Sequence, residues 1–436
     1  MSGLCLKFAT KTSQTESDTD TVIPYLSPDG KKVLVSYTSQ TNYVSDLPKV
    51  VYAIYPICDD EVLINAPSFQ YTSTQMIADK KYVLAVIPSP CFNQVLVASA
   101  YQNYSDYSDP NNLFVTVDGV DYVNDSNGFR KDILLELYEG CKLVGSGIIG
   151  QVYLAPLLIT ITWTLPEIIA FSYPFSIVPT DTDITPCVLE VRCPSDLCKV
   201  QATSIIPYTC NRFYAFKLKG CTYIAASGAA ANMNPVLQPN GLSVSYLTAV
   251  QPPSHVIVFT IDCGCIEVVA KRKVQSFSRW IDVRVKADKV FILNVCRLPV
   301  IVGCHSTFSK LVSGLQAPLY PECKKHMTSV QEMVFDGCAL YHVRDVDTGL
   351  PSSFSSGFIP HSNSYLVSGN HPTISTSYCQ LRVYKEGRLI SLDTPVCQTS
   401  QMSFDRCGNL LVVGGSWSPC PDGPSLKNLA LFRVEH

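Results

Sequence analysis

The sequence lacks any long stretch with the 3.6-residue apolar periodicity of an amphipathic helix, which argues against a helical or α/β protein. Charge is also scarce, because Asp, Glu, Lys and Arg together make up 16% of the 436 residues. The formal net charge is −3, and the few basic residues are spread along the chain. A general nucleic-acid binder needs a strongly basic surface, so we predict no nucleic-acid partner.

Standard catalytic and cofactor motifs are missing as well. There is no His-Glu-x-x-His, no Gly-x-Ser-x-Gly elbow, no phosphate-binding loop and no dinucleotide fingerprint. His305 directly follows Cys304, but neighbouring residues of a strand point to opposite faces and cannot act as a nucleophile–base pair. We therefore predict no catalytic residues, no cofactor and no enzymatic activity.

A secretory signal peptide is not recognisable at the start of the chain, since Met1 to Cys5 form neither a cationic region nor an apolar one. Two expectations follow. The chain is an ectodomain whose membrane anchor lies outside it, or it is an intracellular protein with reduced thiols. The uncharged stretch from Leu143 to Pro166 contains Pro156 and alternating Thr residues, which favours two buried strands over a membrane span.

A tight turn followed by a short apolar strand occurs seven times along the chain. The turns are centred on Gly30, Cys91, Gly140, Gly220, Gly264, Gly337 and Cys407. An apolar strand, a turn that accepts positive φ, and a second apolar strand together indicate a β-hairpin. Repeated hairpins are typical of modular β architectures.

The spacing of these turns predicts an all-β fold, namely a β-propeller of about six four-stranded blades with about 60 to 75 residues each. Tandem β-sandwich or jelly-roll domains are the alternative. Residues 9–21 are polar and low in apolar content, so residues 1–21 are predicted to be a flexible lead-in, and residues 22–436 a single propeller domain.

Cysteine is abundant, with 19 residues, as in a large disulfide-stapled ectodomain. Cys210 and Cys221 flank one predicted hairpin, and Cys397 and Cys407 flank another. Such pairs could face each other across a strand pair, so these four are disulfide candidates.

Four cysteines close together in the sequence form a candidate zinc site: Cys187, Cys193, Cys198 and Cys210. Zinc accepts four thiolates, but the spacing lacks the tight Cys-x-x-Cys knuckle. Disulfides or free core thiols are therefore the alternative interpretation.

Two glycosylation sequons lie in polar, turn-rich stretches, at Asn103 and Asn124. They support an extracellular location. The Tyr-rich loop that contains the first sequon is a candidate contact surface through Tyr101, Tyr104 and Tyr107.

A basic stretch near residue 280 is the main candidate for partner binding. Read as a strand, it turns Ile281, Val283 and Val285 inward, whereas Trp280, Arg284 and Lys286 share the outer face with Asp282. A cationic face with a Trp could bind an anionic glycan or an acidic partner surface. An ordinary solvated strand face is the alternative.

The Cys–about ten–Cys hairpin, its apolar exit strand and a final strand at the C-terminus recur over Tyr365 to Val434 and Cys210 to Val250. In these features the sequence resembles the receptor-binding head of paramyxovirus attachment glycoproteins. The resemblance implies a six-bladed, disulfide-stapled propeller that binds a host-cell receptor. The Asn-Arg-Lys-Ser-Cys-Ser motif of the sialidase-type members is absent.

We accordingly expect a non-catalytic attachment-type ectodomain on a virion or cell exterior, whose loops bind a host-cell surface protein or glycan. One alternative is a cytoplasmic or virion structural β protein that acts through protein–protein contacts with reduced cysteines. Another is a glycan-processing, sialidase-like propeller. Homo-oligomerisation is compatible with each of these interpretations.

Overall fold

The computed structural model describes most of the β-strands and the short turns that join them. The residues described are 5–12, 21–38, 50–59, 61–63, 67–72, 81–101, 114–117, 120–123, 130–153, 160–174, 187–206, 209–229, 233–237, 244–248, 254–274, 277–297, 303–305, 328–350, 353–370, 378–397, 402–414, 416–417 and 429–435.

The first half of the chain contains the strands β1 (Cys5–Thr12), β2 (Thr21–Leu26), β3 (Lys32–Thr38), β4 (Val50–Cys58), β5 (Glu61–Val62), β6 (Phe69–Thr72), β7 (Lys81–Pro88), β8 (Val95–Tyr101), β9 (Phe114–Val117), β10 (Val120–Val123), β11 (Arg130–Glu139), β12 (Lys142–Tyr153), β13 (Thr160–Leu165), β14 (Ile168–Pro174), β15 (Cys187–Cys193), β16 (Asp196–Ile206), β17 (Thr209–Leu218) and β18 (Cys221–Ala229).

The second half contains the strands β19 (Met233–Leu237), β20 (Val244–Thr248), β21 (Ser254–Asp262), β22 (Cys265–Val274), β23 (Phe277–Lys286), β24 (Lys289–Arg297), β25 (Gly303–His305), β26 (Thr328–Phe335), β27 (Leu340–Asp347), β28 (Ser353–Phe358), β29 (Ser364–Asn370), β30 (Tyr378–Lys385), β31 (Arg388–Cys397), β32 (Met402–Phe404), β33 (Leu410–Gly414), β34 (Ser416–Trp417) and β35 (Leu429–Glu435).

Within the described residues, these strands form seven antiparallel blades with four main strands each. From the inner to the outer strand, the blades are β2-β3-β4-β5, β7-β8-β11-β12, β13-β14-β15-β16, β17-β18-β21-β22, β23-β24-β26-β27, β28-β29-β30-β31 and β32-β33-β35-β1. Strand β6 adds to blade 1 and β34 to blade 6, while β9-β10 and β19-β20-β25 are separate small sheets.

The inner strands follow one another around a ring. From β7 to β13, β17, β23, β28 and β32, each contacts the next, and β32 also contacts β2 of blade 1. Four-stranded blades arranged in a ring define a β-propeller. The predicted all-β propeller is thus confirmed, with seven blades in place of the predicted six.

The hydrophobic core is divided among the seven blade–blade junctions. A separate apolar cluster lies between each pair of neighbours, in order from the junction of blades 1 and 2 to that of blades 7 and 1. In the last of these clusters Leu26 and Val33 of blade 1 contact Val412 and Leu431 of blade 7. A strand with apolar residues on both faces needs a neighbour on each side, and only a closed ring gives every blade two neighbours.

The two ends of the chain meet in blade 7. Strand β1 pairs antiparallel with β35, from Cys5 opposite Glu435 to Thr12 opposite Leu429. The predicted lead-in of residues 1–21 is therefore wrong for Cys5–Thr12, which forms the outermost strand of the propeller. An outer strand is paired along one edge only, and the short alternation of Leu6 and Phe8 with Lys7 was not recognised as a strand.

The repeated turns lie where they were predicted, between consecutive strands. Gly30, Gly140, Gly220, Gly264, Gly337 and Gly408 have positive φ there, and Phe92 does so in the turn of Cys91. The turns are unevenly distributed, with two each in blades 2 and 4 and none in blades 3 and 6. The spacing of the turns therefore did not give the number of blades.

These turns all belong to one end of the ring, which we call the turn end. It consists of the connections between the first and second and between the third and fourth strands of the blades. Turns of different blades touch there: the N–H of Arg406 donates to the carbonyl of Pro28 over 2.9 Å, and Lys219 Nζ donates to the carbonyl of Asp336 over 3.2 Å.

The uncharged stretch from Leu143 to Pro166 forms strands β12 and β13, as predicted, but only one of them is buried. Trp163 in β13 is 5% exposed, whereas Ile148 in the outer strand β12 is 55% exposed. Within the described residues, no helix is long and apolar enough to span a bilayer.

Replacing Gly408 with Ala tests the contact between the turns of blades 6 and 7. Gly408 has φ +73°, and a Cβ there would lie 2.9 Å from the carbonyl oxygen of Pro360. We expect Gly408→Ala to lower the free energy of unfolding by about 2–3 kcal/mol, because it adds a clash to left-handed strain. Urea denaturation followed by circular dichroism measures this loss.

Gly140→Ala is the matched control, since Gly140 has φ +56° and no atom within 4 Å of the added Cβ. It should cost about 1 kcal/mol, from backbone strain alone. Equal losses in the two variants would contradict the close approach of the two blades at Pro360.

Candidate functional site

A cleft opens at the turn end between blades 5 and 6 and has a volume of about 230 Å³. Blade 5 contributes side chains of β23, β24, β26 and β27, and blade 6 contributes β28, β29 and the turns that follow β28 and β30. The lining residues are Arg284, Lys286, Phe291, Ile292, Leu293, Glu332, Met333, Val343, Arg344, Phe358, Asn363, Tyr365 and Glu386.

The alternation of β23 brings the cations to this cleft. Ile281 and Val283 are 5% and 6% exposed and belong to the apolar cluster with blade 4. Arg284 and Lys286 have the opposite parity, so they face blade 6. The alternation of Ile281 and Val283 with Arg284 and Lys286 was predicted, but the face predicted to be the outer one points toward blade 6. Val285, predicted to face inward, is 42% exposed next to the turn.

Arg284 lies against an aromatic ring and a neutral amide. Its guanidinium carbon is 5.8 Å from the ring centre of Phe358, which is within cation–π range. Its Nη2 donates to Oδ1 of Asn363 over 3.2 Å, and Lys286 Nζ is 3.5 Å from the same oxygen. Partial burial lowers the pKa of Arg284.

Neither cation is paired with a carboxylate among the described residues. A guanidinium that loses hydration is normally compensated by an acid. Here two positive charges converge on one uncharged oxygen of Asn363. The two cations at the mouth of the cleft can therefore bind an anion.

The other charged groups of the cleft pair with one another. Tyr365 donates its hydroxyl to Oε1 of Glu332 over 3.0 Å, and Arg344 Nε lies 3.2 Å from Oε2 of the same carboxylate. Arg344 also donates to the backbone carbonyl of Glu386. Burial, followed by the negative charge of Glu332, raises the pKa of Tyr365.

Asp282 lies on the same face of β23 as Arg284, two residues earlier and further from the turn end. Its Oδ2 accepts the N–H of Phe358 over 2.7 Å. Burial raises the pKa of Asp282 to about 6, although the N–H groups of Phe358 and Val283 partly oppose the shift. The pKa of nearby Tyr214 is raised by burial and by the charge of Asp282.

A wider basin adjoins the cleft and shares two of its residues, Lys286 and Asn363. It has a volume of about 600 Å³ and is lined by Lys286, His361, Ser362, Asn363, Lys385, Cys407 and Asn409. Sequence reasoning missed His361, Asn363 and Lys385. His361 and Asn363 lie in the turn that follows β28, and Lys385 is the last residue of β30. All three are far along the chain from β23, and only the ring brings them together.

Two of the other predicted contact residues lie on described strands. Trp280 lies on β23 opposite Val295, and Tyr101 is the last residue of β8. Tyr104, Tyr107 and the sequon residues Asn103 and Asn124 lie outside the described residues.

The predicted disulfide between Cys210 and Cys221 is contradicted by the strand register. Cys221 is opposite Leu218, while Cys210 is opposite Gly228 at the far end of the hairpin. Seven residues of strand separate the two positions, or roughly 20 Å or more, which no disulfide spans. A two-residue turn immediately before Cys221 sets this register.

The pairing of Cys397 with Cys407 is not formed either. Cys397 pairs in register with Ser416, whereas Cys407 is an exposed free thiol in the turn after β32. None of the eleven cysteines whose side chains the structure describes forms a disulfide, and all but Cys187 lie at the turn end.

The candidate zinc site is also contradicted. Cys187 and Cys193 begin and end β15, roughly 20 Å apart. Cys187 is buried, whereas Cys198 is exposed, and the side chain of Cys210 is not described. Among the described residues, no three His, Cys, Asp or Glu side chains are grouped so as to hold a metal ion.

No protein-family model and no curated protein matches the sequence. Among solved structures, the chain is similar to one from a study of two prolyl endopeptidases, with 11% identity and a TM-score of 0.48. The alignment covers 94% of this chain but only 46% of that one, so the chain spans less than half of that relative.

Two further structures have similar scores. One comes from the mitotic checkpoint complex, with 10% identity, a TM-score of 0.47 and coverage of 100% of this chain and 95% of the other. The other is the β-propeller domain of Cps50 (Swd1) from Myceliophteria thermophila, with 10% identity, a TM-score of 0.46 and coverage of 99% and 100%. None of these likenesses carries an argument about function.

Replacing Asp282 with Asn tests the buried carboxyl beside the cleft. Because its folded-state pKa of about 6 exceeds the ordinary value, the group favours folding when protonated and loses that contribution as pH rises from about 4 to above 6. We expect Asp282→Asn to raise the free energy of unfolding by roughly 2 kcal/mol at about pH 8, and the gain to vanish near pH 4.

Urea denaturation at several pH values measures this difference. Asp288→Asn is the matched control, because Asp288 is exposed in the turn that follows β23. A stabilisation by Asp282→Asn that stays the same at low and high pH would show that the carboxyl is not held in its neutral form.

Proposed function

We propose that this protein is a non-catalytic binding propeller that acts through protein–protein contacts. The cleft between blades 5 and 6 receives an acidic group of the partner. The observation that carries the proposal is the convergence of Arg284 and Lys286 on the single neutral oxygen of Asn363. An incoming carboxylate would supply the missing counter-charge.

The shape of Arg284 suits this role. A guanidinium offers parallel N–H donors that match the two oxygens of a carboxylate, and such charged hydrogen bonds are stronger than neutral ones. The guanidinium lies within cation–π range of Phe358 and donates one hydrogen bond to Asn363. The donor is thereby oriented before the partner arrives, which lowers the entropic cost of binding.

The free thiols favour the interpretation with reduced cysteines. Nine of the described cysteines are exposed at the turn end and form no disulfide: Cys58, Cys91, Cys141, Cys198, Cys221, Cys263, Cys265, Cys338 and Cys407. Exposed free thiols are typical of reducing compartments. A location inside the cell is part of the proposal, and attachment to a host-cell receptor stays a prediction.

The double variant Arg284→Gln with Lys286→Gln tests the proposal. Gln keeps a polar side chain at both positions but removes the charges that would pair with a partner. At low salt, we expect the immobilised double variant to capture at least about tenfold less of the proteins that the immobilised wild-type chain captures. The reason is that each charged hydrogen bond contributes strongly when it is partly desolvated. Quantitative mass spectrometry of the captured proteins measures this change.

Lys142→Gln is the matched control, since Lys142 is an exposed cation of the same turn end in blade 2. It should capture the same proteins as the wild type, and circular dichroism should show that all variants are folded. A set of captured proteins that is identical for the wild type and the double variant would refute the proposed site.

A further inference from the structure

We infer that the occupant of this site is an acidic peptide segment of a partner protein, in which a large apolar side chain lies next to at least two carboxylates. The inference rests on the proposed function and makes it specific. It follows from the cleft and the basin being one continuous site, joined through Lys286 and Asn363.

The basin has room and charge for more than one carboxylate. Its lining includes Lys286, Lys385 and His361 but no Asp or Glu, although the whole chain has a net charge of −3. A local excess of cations on an acidic protein concentrates the potential at one place and draws anionic partners there. Arg284 adds a fourth basic group at the border of the cleft.

The interior of the cleft requires an apolar group. Phe291, Leu293, Val343 and Phe358 line it, and Leu293 and Phe358 belong to the apolar cluster of blades 5 and 6. About 230 Å³ accommodates a side chain such as Leu or Phe. An apolar wall of this kind suits a peptide anchor better than a sugar, whose hydroxyls would lose hydrogen bonds there.

The acidic residues of the cleft give the ligand a direction and disfavour long polyanions. Glu332 and Glu386 line the cleft, where Arg344 already pairs with the carboxylate of Glu332 and donates to the backbone carbonyl of Glu386. A second anion entering there would meet two acidic residues. Carboxylates therefore belong in the basin and the apolar side chain in the cleft, whereas a nucleic-acid strand running through both would be repelled.

His361 lies in the turn that follows β28 and lines the basin. It has φ +57°, a left-handed conformation in which His, like Asn and Asp, occurs more often than most other side chains. In this site the imidazole is the third basic group of the basin.

Fluorescence anisotropy with defined probes tests the inference. The first probe is a fluorescein-labelled peptide with the sequence Gly-Glu-Glu-Phe-Gly-Ser. The second has Gln in place of both Glu residues, the third has Ala in place of Phe, and the fourth is a single-stranded oligonucleotide of similar length. With the full chain we expect the first peptide to bind at least about tenfold more tightly than the other three.

Substitutions in the cleft and the basin test where the first peptide binds. Lys385→Gln and the double variant Arg284→Gln with Lys286→Gln should each weaken the first peptide several-fold or more, and Lys142→Gln should leave it unchanged. The peptide should also slow alkylation of Cys407, which lines the basin, without slowing that of Cys141 in blade 2. His361→Gly should weaken binding while leaving the protein folded.

The results separate this inference from the proposed function. Equal binding of the Glu and Gln peptides, or tighter binding of the oligonucleotide, overturns the inference. If no peptide binds but protein capture still depends on Arg284 and Lys286, the inference falls and the proposed function stands. If neither peptide binding nor protein capture depends on Arg284 and Lys286, both the inference and the proposed function are refuted.

Discussion

The need of every blade to cover two apolar faces is the constraint on which the structure depends. A four-stranded sheet with apolar side chains above and below cannot be stable alone, because burying one face leaves the other in water. In this protein each face is buried in a cluster shared with a neighbour, and seven such clusters close on themselves between blades 7 and 1. The pairing of β1 with β35 joins the two ends of the chain within a single sheet.

The candidate site is a consequence of this geometry. Inner strands have one face toward the preceding blade and the other toward the following blade. In β23 the first face completes the apolar cluster with blade 4, whereas the second carries Asp282, Arg284 and Lys286 toward blade 6. The apolar cluster of blades 5 and 6 includes Leu293 and Tyr365 and stops short of the turn end. The space between the two blades that this cluster does not fill is the cleft, with cations at its mouth.

Local features of the fold were predictable from sequence, and features that depend on distant partners were not. Turns at Gly30 or Gly264 follow from residue types that accept positive φ. The strand state of Cys5–Thr12 comes from a partner more than 400 residues away, as its register with Glu435 shows. Likewise, the two-residue turn before Cys221 sets a register that the spacing of cysteines alone did not reveal.

The same division applies to the site. Alternation along one strand was enough to place Arg284 and Lys286 on a common face. Asn363, His361 and Lys385 could not be assigned to that site, because they belong to the next blade, whose position depends on how the ring closes. The number of blades was missed for a related reason, since blades 3 and 6 use other turn sequences than the one that recurs.

Hydrogen exchange of β1, followed by mass spectrometry of peptides from the folded full-length chain, tests the closed ring most directly. If β1 is the outer strand of blade 7, about half of the amides in Cys5–Thr12 donate to β35 and should be protected, since an edge strand bonds through alternate residues. Protection should disappear together with that of Leu429–Glu435 as denaturant is added. Exchange of Cys5–Thr12 at the rate of an unstructured peptide would contradict the closure of the ring through its two ends.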